Sequence, residues 1–524
     1  MTVGEKPRPL GPKAGPQKAG PQKAGPQKAL VIGYGVSGRS AATWMATQGY
    51  DVVVLEDDRA KGEAAHAGAV AAGLALEIAP GPARAGQLAR AVDMVVPSPG
   101  ARSDHPAVAA AVAAGVQVVS EIELAWRVLR ELRQDGPRSG QWPRLAAITG
   151  TNGKTTVTEL VAAMLACSGQ DAVAAGNVGY PLLEAVSHLV PGQPTVLVAE
   201  VSSFQLEFTR EFRPDVSCWL NFAPDHLDWH PDLAHYARAK ARIWSRQGAG
   251  STAVVNRDDP EVCRAAQRIP AGVDVVTFGF SDLSAEGAGE TTGGVTRPRS
   301  AQDWVVLADG VEGPHGFQLR AADLPRAFPH DLANAAAAAA VALAAGATQE
   351  GCKEAVRKTE LPPHRVQLVA EKGGVSWYDD SKATTPAAVQ AGVRGFSSVV
   401  LIAGGRNKGL DLGALASTVP PVRAVVAVGE AAPEVAKAFA GHAVVRRAES
   451  MGAAVETASS LALPGDAVVL SPGCASFDWY ASYAERGDDF SALVKGKLCS
   501  EPRKPGPAAV NPQHAVKPQE ADRR

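Results

Sequence analysis

Apolar runs at 29–32, 51–55, 91–96 and 116–120 read as strands, and the span 37–48 between the first two reads as a helix. A run at 145–149 opens a second unit, with further strands at 195–201, 215–221 and 252–256. A third set lies at 398–403, 424–428 and 467–471. Strands alternating with helices on this scale predict parallel sheets covered by helices, an α/β architecture. The alanine-rich stretch 335–345 reads as a packed helix. Two stretches interrupt the alternation. Residues 131–143 are polar and rich in Gly and Pro, and 360–363 end in Pro-Pro just before another strand, so domain boundaries are expected at both. Residues 281–303, rich in Gly, Thr and Ser, predict a surface excursion within the middle unit. Residues 1–28 repeat Gly-Pro-Gln-Lys-Ala, and 498–524 are rich in Pro, Lys and Gln; neither builds a packed element, and both are expected to be disordered, as solvated tails or as a basic arm.

Length and composition narrow the class. A chain of 524 residues is too long for one core. Hydrophobic residues make up 46% and charged residues 20%, ordinary for a globular protein. A net charge of −2 gives no electrostatic case for nucleic acid or an anionic membrane, so neither partner is expected. The six cysteines are scattered without a Cys-x-x-Cys pair, which predicts a reduced, cytoplasmic chain without a zinc site. No signal-peptide core and no apolar run of membrane-spanning length is seen.

Four motifs bring chemistry. Gly33-Tyr-Gly35-Val-Ser-Gly38 follows a strand and opens a helix, where backbone N–H groups can meet a phosphate. The acids Glu56, Asp57 and Asp58 end the next strand, where a dinucleotide fold binds ribose. A nicotinamide dinucleotide, the diphosphate of UDP, or simple close packing of helix on strand all suit this loop. Gly150-Thr151-Asn152-Gly153-Lys154-Thr155-Thr156 is more specific. Its amides and Lys154 can hold β- and γ-phosphates and Thr155 can hold Mg²⁺, although Ile148 stands where the usual phosphate loop has its first glycine. Glu200, and then Asp225-His226 with Asp228, each follow a strand in the same unit, positions that face the ligand crevice of a parallel sheet.

These motifs, with Asn177 in Gly-Asn-Val-Gly, Lys240 in Tyr-Ala-Arg-Ala-Lys, Asn334 and His364-Arg365, resemble the Mur ligase superfamily in kind and order over residues 29–495. Asp379-Asp380-Ser-Lys382-Ala-Thr384 and Ser471-Pro-Gly-Cys-Ala-Ser476-Phe477 resemble its D-glutamate-adding branch. The chain departs at Asp331, where many members have Asn, and at Arg406-Asn407-Lys408, where Gly-Gly-x-Asp-Lys is commoner. The resemblance implies a Rossmann-like N-terminal domain (29–140), a central P-loop ATPase-like mononucleotide-binding domain (144–360) and a Rossmann-like C-terminal domain (361–497). It implies a monomer using ATP, two Mg²⁺ ions, UDP-N-acetylmuramoyl-L-alanine and D-glutamate, by way of an acyl phosphate. It assigns Lys154, Glu200, His226 and Lys240 to catalysis, with Thr155, Glu200, His226 and a CO₂-derived carbamate on Lys240 as metal ligands. It assigns residues 150–156, Asn334, Arg365, Asp380 and Lys382 to ATP. Gly35, Val36, Ser37, Asp57, Asp58, Arg59 and Asn177 fall to the UDP substrate, and Thr384, Lys408, Ser476, Phe477 and Tyr483 to D-glutamate. Rival readings are a folylpolyglutamate-type or other ligase of the superfamily, a nicotinamide-dependent oxidoreductase, and a nucleotide-binding module without catalysis.

Overall fold

Three sheets carry the chain in the computed structural model, which describes residues 26–135, 143–177, 179–190, 193–281, 303–360 and 362–499. The expected tails apart from 26–28 and 498–499, most of the polar break at 131–143, and all but the two end residues of the excursion at 281–303 lie outside those residues. The first sheet is wholly parallel, in the order Ala75–Ile78, Asp51–Glu56, Lys28–Ile32, Met94–Pro97, Gln117–Val118. Lys28, expected in the tail, already pairs with Asp51. The strand expected at 91–96 starts later, because helix Gly81–Arg90 runs up to Ala91. The chain winds outward from Lys28–Ile32 in one direction and then in the other. Its ligand crevice therefore opens at the carboxyl ends of Lys28–Ile32 and Met94–Pro97.

The second sheet has nine strands. Arg144–Thr149 sits between Thr195–Glu200 and Val216–Trp219, with Asp171–Gly176 at one edge. Thr252–Asn256, Asp274–Phe280 and Trp304–Leu307 continue it in parallel, and Gly310–Gly313 and Phe317–Arg320 close it as antiparallel strands. Every residue of Thr195–Glu200 is buried, as expected of a strand covered on both faces. Beyond Asn334, helix Pro329–Ala344 is apolar all round and buries Ala335 through Val341. The third sheet runs Gln367–Lys372, Val375–Asp379, Ala467–Leu470, Val399–Gly404, Val422–Val428, Val444–Ala448, parallel but for the first strand.

Helix Glu121–Asp135 joins the first sheet to the second, and its buried acids fix it there. Glu123 accepts the backbone N–H groups of Arg210, Glu211 and Phe212 at 2.9–3.2 Å and also holds Arg127. Glu121 accepts Leu183 N–H at 2.5 Å, and Arg133 reaches Asp215 and the Pro143 carbonyl. Hydrogen bonds to a charged group contribute roughly 1.5–3 kcal/mol each, which applies here to those of Glu123 and Arg133. The apolar core is continuous across this seam, from Val31 and Met45 through Ile122, Trp126 and Leu129 to Leu145, Leu197 and Trp219.

Candidate active site

At the first crevice Gly38 lies so close to the preceding loop that a Cβ there would stand 2.0 Å from the Gly33 carbonyl oxygen, so only glycine fits. Ser98, at the end of Met94–Pro97, donates to that carbonyl at 3.1 Å. Gly35 caps helix Val36–Thr47, leaving Val36 and Ser37 in its first turn. Glu56 accepts Tyr34 N–H at 2.9 Å and Asp58 N–H at 3.1 Å, which commits the acid to its own loop. Asp58 caps helix Arg59–Ala71 through Lys61 N–H, and exposed Arg59 faces Glu63 of the same helix. Asp57 meets His105 at 2.9 Å, and His105 in turn accepts Ala107 N–H, a brace the sequence did not suggest.

The phosphate loop follows Arg144–Thr149. Gly153 adopts φ +81° at the start of helix Lys154–Cys167, and a Cβ there would lie 2.7 Å from Asn334 Oδ1. Two constraints thus require glycine, and they put Asn334 against the loop. Asn221, just beyond strand Val216–Trp219, braces the loop: its Oδ1 accepts from Thr151 N–H and Asn152 N–H, and its Nδ2 donates to the Asn152 carbonyl. Lys154 Nζ donates to the Gly150 and Thr151 carbonyls, each at 2.9 Å. Thr156 lies in the helix's first turn.

Glu200, 2% exposed at the end of its strand, receives Thr155 Oγ1 at 2.8 Å on one carboxylate oxygen and Asn177 Nδ2 at 2.9 Å on the other. Lys240 comes from helix Leu233–Ala241 and is 1% exposed. Its Nζ donates to the Gly150 carbonyl at 2.7 Å and lies 4.8 Å from the Tyr236 ring centroid, while Tyr236 OH meets Thr151 Oγ1. Burial, reinforced by the charge of Lys154, pushes the Lys240 amine well below the usual lysine range. Burial also lowers Lys154, and the positive charges of Arg365 and Lys382 from the third sheet's domain add to that effect. His226 stands on the loop beyond Val216–Trp219 in a left-handed conformation, φ +56°, edge-on to Phe204. Burial holds its imidazole toward the neutral form.

Thr155 and Glu200 offer hard oxygen donors of the kind Mg²⁺ takes, and no cluster of three His, Cys, Asp or Glu forms a complete metal cage among the described residues. That combination suits an ion that keeps water and nucleotide phosphates as its other ligands.

The third sheet brings two loops together. Asp380 accepts Ser471 Oγ at 2.7 Å and Val366 N–H at 3.2 Å, and burial raises its carboxyl to about 7. Lys382 Nζ lies 3.8 Å from the Tyr483 ring centroid, and Lys408 Nζ lies 5.8 Å from that of Phe477, which is 56% exposed. Thr384 follows Lys382 on the loop after Val375–Asp379, and Ser476 is buried on the loop after Ala467–Leu470. Arg486 ties these two loops: it donates to Ser381 Oγ, to the Ser381 carbonyl and twice to the Cys474 carbonyl. Its role was not legible in the sequence, because it depends on the fold bringing Ser381, 105 residues away, beside the Cys474 carbonyl.

A phosphate loop at a sheet's switch point, faced by a buried acid and lysine and by cations from another domain, defines a multidomain nucleotide-dependent α/β protein. Family models match 27–120 (Mur ligase MurD-like, N-terminal domain), 148–342 (Mur ligase middle domain) and 364–474 (Mur ligase, glutamate ligase domain). The chain is 40% identical to the UDP-N-acetylmuramoylalanine--D-glutamate ligase of Frankia casuarinae, covering 89% of this chain and 94% of that one. It is 39% identical to the ligase of the same name from Thiobacillus denitrificans, covering 90% and 96%. Among solved structures it resembles a pseudomurein peptide ligase type C from Methanothermus fervidus (TM-score 0.55, 16% identity, 90% of this chain and 100% of that one). It also resembles the UDP-N-acetylmuramate-alanine ligase of Thermotoga maritima (TM-score 0.51, 17% identity, 90% and 99%). The chain belongs to the Mur ligase family.

Proposed function

We infer that the chain is an ATP- and Mg²⁺-dependent UDP-N-acetylmuramoylalanine--D-glutamate ligase of peptidoglycan precursor synthesis. The observation that carries the site assignment is the meeting of Thr155, Asn177 and Lys240 with the phosphate loop and Glu200 at the ends of adjacent strands. The relatives' shared name supports the choice of amino acid, and so do the loops at 379–384 and 471–477.

The chemical problem is an amide bond from an unreactive carboxylate. The carboxylate oxygen of UDP-N-acetylmuramoyl-L-alanine attacks the γ-phosphorus of ATP, and ADP leaves. The D-glutamate amine then attacks the acyl-phosphate carbon, loses a proton and expels inorganic phosphate. Most of the work is positioning and charge neutralisation. The loop amides of 150–156 cradle the phosphates and Lys154 compensates the transferring charge. Thr155 and Glu200 would hold Mg²⁺, which supplies further neutralisation when bound. Asn177 positions phosphate and substrate. Asn334, Arg365 and Asp380 contact the nucleotide, with Lys382 near the reacting phosphate. Thr384, Lys408, Ser476, Phe477 and Tyr483 receive D-glutamate. Gly35, Val36, Ser37, Asp57, Asp58 and Arg59 receive the UDP moiety, Asp58 and Arg59 from the start of the helix that Asp58 caps.

A second ion would be held by His226, Glu200 and a carbamate on Lys240. A protonated lysine repels a cation, whereas a neutral buried amine adds CO₂ and becomes an oxygen donor. The depressed Lys240 amine supports that reading. Release of ADP with UDP-N-acetylmuramoyl-L-alanine, measured as the amino acid is varied, tests the proposal: D-glutamate alone should sustain it.

A further inference from the structure

The departure at Asp331 coincides with an unusual bridge. Asp331, in the first turn of helix Pro329–Ala344, accepts Arg326 Nη2 on one carboxylate oxygen and Arg326 Nε on the other, each at 2.7 Å. Such a two-pronged pair is geometrically specific. Both side chains are nearly buried, at 12% and 8% exposed, and Arg326 lies across the Phe328 ring at 5.1 Å. The third arm of the guanidinium leaves the central domain: Nη1 donates to the Arg365 carbonyl at 2.5 Å and to the Val366 carbonyl at 2.8 Å.

Those two carbonyls belong to a turn that its own domain ties at His364, through the Lys382 N–H on the His364 carbonyl at 3.1 Å and Asp379 on the ring at 2.7 Å, while Arg326 grips the two carbonyls that follow. His364 has φ +59° and Val366 φ +46°, the latter in a region β-branched residues rarely enter. Val366 also donates its N–H to Asp380, so the strained turn carries Arg365 on one side and anchors Asp380 on the other. On the central-domain side, Asn334 lies one turn beyond Asp331 and abuts Gly153 of the phosphate loop. Around the bridge the two domains also meet where Phe328 packs on Phe396 at 4.9 Å and His330 reaches the Ala391 carbonyl at 3.2 Å.

We propose that Arg326, aimed by Asp331, is a positioning residue for nucleotide binding: it fixes the 364–366 turn so that Arg365 and Asp380 face a nucleotide held on the phosphate loop. The proposal rests on the reading that ATP binds at residues 150–156. Arg326 touches no reacting atom in this scheme and acts only through the turn it grips.

The test measures affinity for ATP·Mg²⁺ and for UDP-N-acetylmuramoyl-L-alanine by titration calorimetry on the full chain, together with the thermal midpoint. Arg326→Gln should weaken ATP binding by about ten-fold or more and leave the UDP substrate's affinity unchanged. Asp331→Asn, which keeps the shape but not the charge, should weaken ATP binding less, and its effect should vanish in the Arg326→Gln background. Arg326→Lys should recover only part of the loss, since an ammonium cannot reach the carboxylate and both carbonyls in a fixed plane. If Arg326→Gln fails to fold, Arg326→Lys and Asp331→Asn carry the test. Wild-type ATP affinity in any folded Arg326 variant, or equal loss for both ligands, overturns the proposal. An unaltered chain that binds ATP but releases no ADP with the UDP substrate and D-glutamate would sink the ligase reading and leave this one standing. An unaltered chain that does not bind ATP would sink both.

Discussion

Lys240 shows how burial shifts the balance between the charged and neutral forms of a lysine. An exposed lysine at neutral pH is an ammonium. Here the amine is enclosed, faces a carbonyl, and shares its surroundings with Lys154, so the charged form is disfavoured. Lowering of the amine's pKa widens the pH range over which it is neutral, as the proposed reaction with CO₂ requires, and falling pH works against that reaction. Lys240→Ala should therefore lose activity and regain part of it with added acetate or formate, and undiminished activity would remove the residue from the mechanism. Lys154→Ala and Glu200→Ala should each lower turnover on the order of 10²-fold or more, read as acyl-phosphate formation. In the third domain, Lys408→Ala should raise the KM for D-glutamate more than that for ATP; the reverse ordering would misplace the amino-acid pocket. The loop residues that announce themselves, Gly153, Lys154 and Thr155, were legible because their spacing is local. Asn221 and Arg486 were not, since the loop that Asn221 braces and the Ser381 that Arg486 grips are both distant in sequence.

Helix Glu121–Asp135 belongs by sequence to the first domain, yet its acids hold the second. Glu121 is the weak point of that seam: Leu183 N–H satisfies one carboxylate oxygen, while the other is buried without a hydrogen-bond partner among the described residues. Burial raises its carboxyl to about 7. An acid whose folded pKa lies above its unfolded value makes the folded state bind the extra proton, so stability falls as pH rises from the usual carboxylate range through about 7. Glu121→Gln should accordingly raise the thermal midpoint by a few degrees at pH 8 and have little effect at pH 5. A lower midpoint at pH 8 would show that the charge helps the seam. Strands buried on both faces, such as Val399–Gly404, were legible as unbroken apolar runs. Ala75–Ile78 and Val444–Ala448 were not, because edge strands are half exposed and their polar residues hide the pattern. The hairpin Gly310–Arg320 escaped notice for a related reason: its strands are four residues long and mix buried with exposed positions.

At the scale of the whole molecule, two crevices of similar construction are proposed to receive different ligands. The glycine loop after Lys28–Ile32 alone is compatible with a nicotinamide dinucleotide, but Glu56, the acid that would bind ribose, is engaged by Tyr34 and Asp58 N–H groups. Calorimetry should therefore show binding of the UDP-linked substrate and none of NAD(H). The order of motifs along the chain made the three-part α/β architecture legible before any contact was known. How the third domain addresses the phosphate loop was not, since it depends on Arg326 gripping carbonyls across a domain boundary. The most direct test of the central claim remains ADP release by the full chain supplied with ATP, Mg²⁺ and UDP-N-acetylmuramoyl-L-alanine. Release that requires D-glutamate and is not supported by L-alanine, a diamino acid or L-glutamate is the predicted result. Release sustained by one of those amino acids in place of D-glutamate, or by a folate with L-glutamate, would contradict it.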